Sequence, residues 1–178
     1  IISKNQTINT IPGVLVENNT IKILKNAHVE DTVTIKITDR SLEKFDLIVE
    51  ENAQAKVILA IQDNVLGSAN YDINFQAKPN SNLKFLLISD IQTDASVINL
   101  KGDLLSDANI DFMAAFVSNK ITAKMHLDLV GRGASLKVRS ITISALDNVQ
   151  NIDVHMIHHA PNTLAEMTNI AIASENGK

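Results

Sequence analysis

The stretch that decides the fold is Ala123–Ala165, AKMHLDLVGRGASLKVRSITISALDNVQNIDVHMIHHAPNTLA. From Met125 to Leu129 every second residue is apolar, a period of two that is typical of a β-strand with one buried face. Gly131-Arg132-Gly133 then interrupts the pattern, because glycine adopts the positive φ that a sharp reversal needs. A β-branched apolar run, a break at Asp147-Asn148 and another strand-like run follow. The stretch therefore predicts three strands separated by tight turns.

The same cycle recurs along the chain with a nearly constant period. Six sites place a small or apolar residue just after a polar turn, and successive sites lie 28, 28, 27, 26 and 28 residues apart. Their first members are Ala27, Ala55, Leu83, Ile110, Leu136 and Leu164. A fixed period of this size indicates units that cannot bury their apolar faces alone and must stack on their neighbours. The sixth site is imperfect, because Glu166 occupies a position where an apolar residue is expected.

Two strand-like runs and two corners in each unit predict an all-β fold, a flattened parallel β-helix. We expect a two-sheet solenoid of about six turns of about 27 residues, in which Leu83, Ile110 and Leu136 stack in one interior ladder. A β-sandwich is the alternative, but its hairpins do not require a common period. Gly102, in the middle of a strand-like run, predicts a β-bulge.

Composition fits one domain with an aliphatic core. The 178 residues are 45% hydrophobic but only 3% aromatic, with no tryptophan and no cysteine. We expect a single β-helix domain over residues 1–178, with residues 1–19 as a lead-in. Because the chain begins with Ile1 and not with Met, we expect a fragment or a processed form. The net charge of −4 argues against a nucleic-acid partner, and without a membrane-length apolar run or a signal peptide we expect a cytoplasmic protein with no membrane contact.

Histidines concentrate near the end of the sequence. His155, His158 and His159 stand in one strand-like run, and His126 lies about one repeat earlier. In a strand, His155 and His159 share a face about 13 Å apart while His158 points the other way. Such a pair does not chelate one metal ion without a ligand from an adjacent turn, for which His126 is the candidate. All four are candidate metal ligands, with polar ladders or an interface as the alternative, and we expect no tight metal binding and no cofactor on this chain alone.

Other functional patterns are few. Lys56, Lys84 and Lys137 recur at the same position of the repeat, which allows either a basic ladder or an ordinary solvated face. No phosphate-binding glycine motif is present. A carbohydrate-acting β-helix enzyme would need clustered carboxylates and aromatic platforms, yet the chain has one tyrosine and scattered acids. We therefore expect no enzyme activity, and a carbohydrate-acting or purely structural β-helix protein is the alternative function.

Three stretches resemble the SufB/SufD proteins of iron–sulfur cluster assembly, in their central β-helix. They are Ile11-Pro12-Gly13-Val14, the run LDLVGRGA at 127–134, and the run from Asn151 to Thr163. The last is similar to a typical family pattern, a histidine-rich strand followed by Ala-Pro-(His or Asn)-Thr, here Ala160-Pro161-Asn162-Thr163. The resemblance covers nearly the whole chain. It implies a right-handed parallel β-helix that pairs with a paralogue and works with an ABC-type ATPase as a scaffold for nascent clusters.

The departures from the family refine this expectation. The SufB-type member contributes a core cysteine and this chain has none, so the chain resembles a SufD-type subunit, non-catalytic and holding an iron–sulfur cluster only in a complex. The flanking helical regions of the family, including the segment that usually binds the ATPase, are not found in the sequence. The functional histidine of SufD-type members lies beyond the Ala-Pro-Asn-Thr turn, and we assign it to no residue here.

The last turn of a β-helix predicts association. Its unpaired backbone groups can template pairing with another chain, and the run 169–173 alternates apolar residues. The resemblance also implies pairing with a like subunit. We expect a homodimer, or a heterodimer with the SufB-type paralogue, joined through Ile152, Val154, Ile170 and Ile172.

Overall fold

The computed structural model describes residues 11–38 and 40–177 and consists, within them, of thirteen strands and no helix. Seven strands form sheet A, in the spatial order β1 (Val14–Glu17), β2 (Thr20–Ile23), β4 (Lys44–Val49), β6 (Ser68–Ala77), β8 (Ala95–Leu104), β10 (Lys120–Leu129) and β12 (Val149–His158). Six form sheet B, in the order β13 (Leu164–Ala173), β11 (Ser135–Ser144), β9 (Asn109–Phe116), β7 (Asn82–Ile91), β5 (Gln54–Asp63) and β3 (His28–Thr38).

The chain alternates between the two sheets, so each turn adds one parallel strand to each. This confirms the predicted two-sheet parallel β-solenoid of about six turns. One pairing departs from it: β1 and β2 form an antiparallel hairpin at the start of sheet A. Of the predicted lead-in, residues 1–10 lie outside the described residues.

One corner of every turn shares a left-handed residue, which explains the period. The second residue before each strand of sheet B has a positive φ, which short polar side chains and glycine tolerate best. These corner residues are Asn26, Asn52, Asn80, Asp107, Gly133 and Asn162. Each of the first five donates its backbone N–H to a carbonyl in the next turn, as Asn52 does to Pro79 O at 3.1 Å and Asp107 to Arg132 O at 2.9 Å. The corners therefore stack as the strands do.

The interior is built from ladders of aliphatic and phenylalanine side chains. Leu83, Ile110 and Leu136 lie opposite one another in β7, β9 and β11 and are at most 1% exposed, as predicted. Gly102 is paired in uninterrupted register with Phe75 and Leu127, so the predicted bulge is wrong. A Cβ at Gly102 would lie 2.1 Å from Cζ of Phe75. The glycine makes room for that ring.

The observed strand pairing shows that two of the six predicted ladder residues, Leu164 and Ala27, are wrong. Ala165, not Leu164, lies opposite Leu136, and Glu166 therefore points outward, where it pairs with Lys137 at 3.5 Å. At the other end, His28 lies opposite Gln54 with a register shift before Thr32, so Ala27 is not the ladder member of its turn. Both errors arise because the corners are spaced unevenly, between 26 and 29 residues apart.

Candidate functional site

The histidines lie on the outer face of sheet A near the last turn. Met125 and Leu127 of β10 point into the core, and the alternation of the strand places His126 between them on the outside. His126 lies directly opposite His155 of β12, with ring centroids 6.1 Å apart and planes inclined by 26°. The adjacent-turn pairing expected from the sequence is therefore present as a stacked pair.

Asp128 connects two of the histidines. Its Oδ2 lies 3.2 Å from Nε2 of His126, and its Oδ1 lies 2.6 Å from Nε2 of His159. Both imidazole side chains are 48% exposed, whereas the Asp128 side chain is 19% exposed. With its proton on Nε2, His159 donates a hydrogen bond to the Asp128 carboxylate, and His126 lies within ion-pair distance of the same carboxylate. Asp128 therefore contacts histidines from two successive turns.

The other two candidates have separate partners. Nε2 of His155 lies 3.2 Å from a carboxylate oxygen of Asp153 on its own strand. His158 lies on the opposite face, and its Nδ1 is 2.6 Å from Oγ1 of Thr163. The fold thus brings together three of the four predicted histidines and leaves His158 apart.

No metal centre is assembled from these groups. Within the described residues, no set of three or more His, Cys, Asp or Glu side chains has the arrangement that could hold a metal ion. The exposed imidazoles and the Asp128 carboxylate can form hydrogen bonds with a polar ligand. That these histidines bind no metal ion tightly is a prediction, and metal titration tests it.

A groove of about 650 Å³ runs beside the histidine pair. It crosses β6, β8, β10 and β12, and polar or charged outward side chains dominate its walls. The charged and imidazole groups are Asp72, Lys101, Lys124, His126, Asp128, Asp153 and His155. Sequence reasoning named the histidines but not Asp128, although its place two residues after His126 puts both on one face of a strand.

A second charged cluster, buried at the corner between β5 and β6, was not predicted. The Asp63 side chain is fully buried and accepts hydrogen bonds from Nε of Arg40 at 3.0 Å and the hydroxyl of Tyr71 at 2.8 Å. The backbone N–H of Val65 donates to its other oxygen at 2.9 Å. Burial raises the pKa of Asp63, but these hydrogen bonds and the Arg40 charge outweigh it and hold the pKa below its usual range. Burial, and then the Asp63 carboxylate, raise the pKa of Tyr71. Because all its members have partners, this cluster fixes a corner of the fold.

The predicted interface residues lie in the last turn but on different faces. Ile152 and Val154 of β12 point toward the core and are half-buried. Ile170 and Ile172 of β13 point outward, 49% and 53% exposed. The four therefore line the end of the solenoid and do not form one flat patch.

The protein is thus a two-sheet parallel β-solenoid with a histidine cluster on the outer face of sheet A and exposed apolar residues in its last turn. The family model described as "SUF system FeS cluster assembly, SufBD core domain" matches residues 33–178. The chain belongs to this family, and its role accordingly lies in iron–sulfur cluster assembly. No curated protein and no solved structure matches the chain. Across the described residues there is no helix long and apolar enough to cross a membrane.

Proposed function

We propose that the chain is a SufD-like, non-catalytic subunit of an iron–sulfur cluster assembly complex in the cytoplasm. The SufBD core match is the observation that carries the proposal. Because these 178 residues contain no cysteine, a thiolate for the nascent cluster would come from a SufB-type paralogue. An ABC-type ATPase would complete the complex, and the cluster is its cargo.

The last turn supports pairing with a like subunit. β12 and β13 are the edge strands of the two sheets, and an edge strand presents unpaired backbone N–H and C=O groups to another chain. Ile170 and Ile172 place exposed apolar surface beside that edge, where its burial would stabilise a complex. We propose a heterodimer with the SufB-type paralogue, or a homodimer in its absence, through this end.

Co-expression tests the assembly. The tagged chain should retain the cysteine-containing paralogue and the ATPase through affinity and size-exclusion steps, and cluster absorbance should appear only in that complex. Replacing both Ile170 and Ile172 by lysine should abolish retention of the paralogue. The matched control replaces Val65 and Leu66, exposed apolar residues at a distant corner, by lysine and should retain it. A wild-type chain that stays monomeric and does not retain the paralogue contradicts the proposal.

Metal titration tests the histidine face separately. Among the described residues, no three His, Cys, Asp or Glu side chains, including His126, His155 and His159, are arranged so that they could hold one metal ion. Calorimetry with Zn²⁺ or Fe²⁺ should therefore show no stoichiometric sub-micromolar binding to the free chain. Tight binding that disappears in His155→Ala contradicts this expectation and assigns a metal to the site.

A further inference from the structure

The outer face of sheet B has an apolar centre, unlike the outer face of sheet A. In β5, β7 and β9 the alternation points Val57, Phe85 and Phe112 into the core, so their neighbours point outward. The outward residues of these strands that are apolar and only half-buried are Ile58, Ala60, Leu86, Ile88, Met113 and Ala115. Single apolar residues on a surface are ordinary, but a contiguous set on neighbouring strands indicates an interaction site.

A groove of about 270 Å³ crosses this face perpendicular to the strands. Ile58, Leu86 and Met113 line it at successive turns. Lys56 and Lys84 lie two residues earlier on their strands and border the same groove. Over β5 and β7 the groove is thus apolar along its floor and basic along one rim; at its far end it is lined by Asp111 and Arg139.

The two rim lysines have no ion-pair partner in the described part of the chain. Lys56 and Lys84 lie directly opposite each other in β5 and β7, an arrangement in which like charges repel. Neither forms an ion pair with any residue in 11–38 or 40–177. The carboxylate next in register to Lys84 is Asp111, which interrupts the predicted basic ladder but pairs with Arg139.

Among the described residues, three lysines elsewhere on the solenoid, Lys22, Lys25 and Lys137, have a carboxylate partner in a neighbouring turn. Lys25 pairs with Glu51 at 2.6 Å, and Lys137 pairs with Glu166 at 3.5 Å. Within the described residues, Lys56 and Lys84 therefore lie side by side without the carboxylate partner that Lys25 and Lys137 have. A ligand that supplies carboxylates near both lysines would offset their mutual repulsion.

We propose that this groove docks an amphipathic helix of a partner protein, with an apolar face on Ile58, Leu86 and Met113 and an acidic edge along Lys56 and Lys84. Neighbouring strands are about 4.8 Å apart, and residues three or four apart on a helix rise about 4.5–6 Å along its axis. A helix lying along the solenoid axis therefore presents one side chain to each turn. Acidic residues at that spacing meet the two lysines in sequence.

Other occupants fit the groove less well. The backbone groups of β5, β7 and β9 are paired on both sides within sheet B, so a strand cannot be added there and only side chains are available for contact. A second copy presenting the same face adds two more lysines, while the one carboxylate in its groove, Asp111, is already paired. The floor residues Ile58, Leu86 and Met113 lie on β5, β7 and β9, at least two strands from the β13 edge, so the docking contacts are separate from the proposed pairing end.

A pair of synthetic peptides tests the proposal. The first is a fluorescein-labelled helix of about 15 residues with leucines on one face and glutamates along one edge; its twin carries lysines in place of the glutamates. The full 178-residue chain should bind the glutamate peptide by fluorescence anisotropy. The variant Lys56→Glu/Lys84→Glu should bind it at least tenfold more weakly and should gain affinity for the lysine peptide. The control Lys101→Glu/Lys124→Glu, on sheet A, changes the net charge equally and should bind as the wild type does.

A third variant separates apolar from charged contributions. Leu86→Gln, at an outward position, should weaken the glutamate peptide severalfold without shifting the thermal midpoint substantially. Equal binding of the two peptides to all variants, or no binding of the glutamate peptide, overturns the proposal. A dimer in light scattering that Leu86→Gln dissociates also overturns it, because a second copy is then the occupant. None of these results depends on retention of the paralogue, so this test and that of the proposed function fail independently.

Discussion

The middle turns and the last turn of the solenoid use the same alternation of residues with different results. Val138 of β11 is 0% exposed, whereas Met167, its partner in register on β13, is 42% exposed although it points the same way. On sheet A, Met125 is 1% exposed and its partner Val154 is only half-buried. Alternation therefore decides which way a side chain points, and the neighbouring turn decides whether it is buried. Stability in such a fold arises between turns more than within them.

A buried charge gives the strongest test of this contrast. Val138→Asp should lower the free energy of unfolding by about 4 kcal/mol or more, because an unpaired carboxylate would replace a fully buried side chain. Met167→Asp should lower it by only about 1 kcal/mol, since water reaches that position. Urea denaturation followed by far-UV circular dichroism measures both.

If Val138→Asp and Met167→Asp lower the free energy of unfolding equally, the middle turns and the last turn do not differ in burial. A large loss for Met167→Asp would show that the end of the solenoid is covered in solution. The outward substitution Gln54→Asp, at an exposed position of β5, is the control and should stay within about 0.5 kcal/mol of the wild type.

Enlarging an inward side chain should destabilise the middle turns more than the last turn, with the second-largest effect expected. Gly102→Ala should lower the free energy of unfolding by about 2–3 kcal/mol, because its Cβ would collide with the ring of Phe75. Ala165→Val, which enlarges an inward side chain in the last turn, should be nearly neutral. The double variant Gly102→Ala/Phe75→Leu should be less destabilised than the sum of its single changes. If Gly102→Ala is as stable as the wild type in urea, the close approach of Phe75 is not what requires glycine.

The sequence allowed the architecture to be predicted because both of its determinants are local. Alternation marks the strands, and Asn, Asp or Gly marks the left-handed corner before each strand of sheet B, so the period follows from the residues. The ladder members at the two ends were misassigned because corner spacing varies by a few residues. Gly102 was misread because a mid-strand glycine signals a bulge or a close approach equally well, and only the position of Phe75 decides between them.

The site could be predicted only in part. The pairing of His126 with His155 follows from the repeat, which places them one turn apart. The contact of His159 with Asp128 does not, because His159 lies past the end of β12, where strand geometry no longer fixes its direction. The cluster of Asp63, Arg40 and Tyr71 joins residues across a corner and has no periodic signal.

Acid should affect the middle of the solenoid through Asp63. Its pKa is lower in the folded chain than the ordinary value of 3.8, so its stabilisation is fully present above about pH 4 and is lost as pH falls toward the folded pKa. Asp63→Asn should lower the free energy of unfolding at pH 7 by about 1–2 kcal/mol, since it removes a buried charge that Arg40 and Tyr71 hold. Urea titrations at a series of pH values should show a shallower acid loss for the variant.

A carboxylate in the last turn provides the control for that experiment. Asp147 is exposed at the corner before β12, and Asp147→Asn should leave the acid dependence of stability unchanged. If the wild type and Asp63→Asn lose stability in parallel below about pH 4, the Asp63 cluster does not contribute to acid sensitivity.

The smallest effect is expected for the His159–Asp128 contact, despite its separation of only 2.6 Å. The His159 side chain is 48% exposed, and even a charged pair this exposed contributes only about 0–1 kcal/mol because water and salt screen it. A double-mutant cycle with His159→Ala and Asp128→Ala should therefore give a coupling energy below about 1 kcal/mol that decreases further at high salt. The same cycle for Arg40→Ala and Asp63→Ala should give a larger coupling, because the Asp63 side chain is fully buried. If the coupling energy of His159 with Asp128 equals or exceeds that of Arg40 with Asp63, the last turn is shielded from water in solution. The contrast between the last turn and the middle turns then fails at the histidine face.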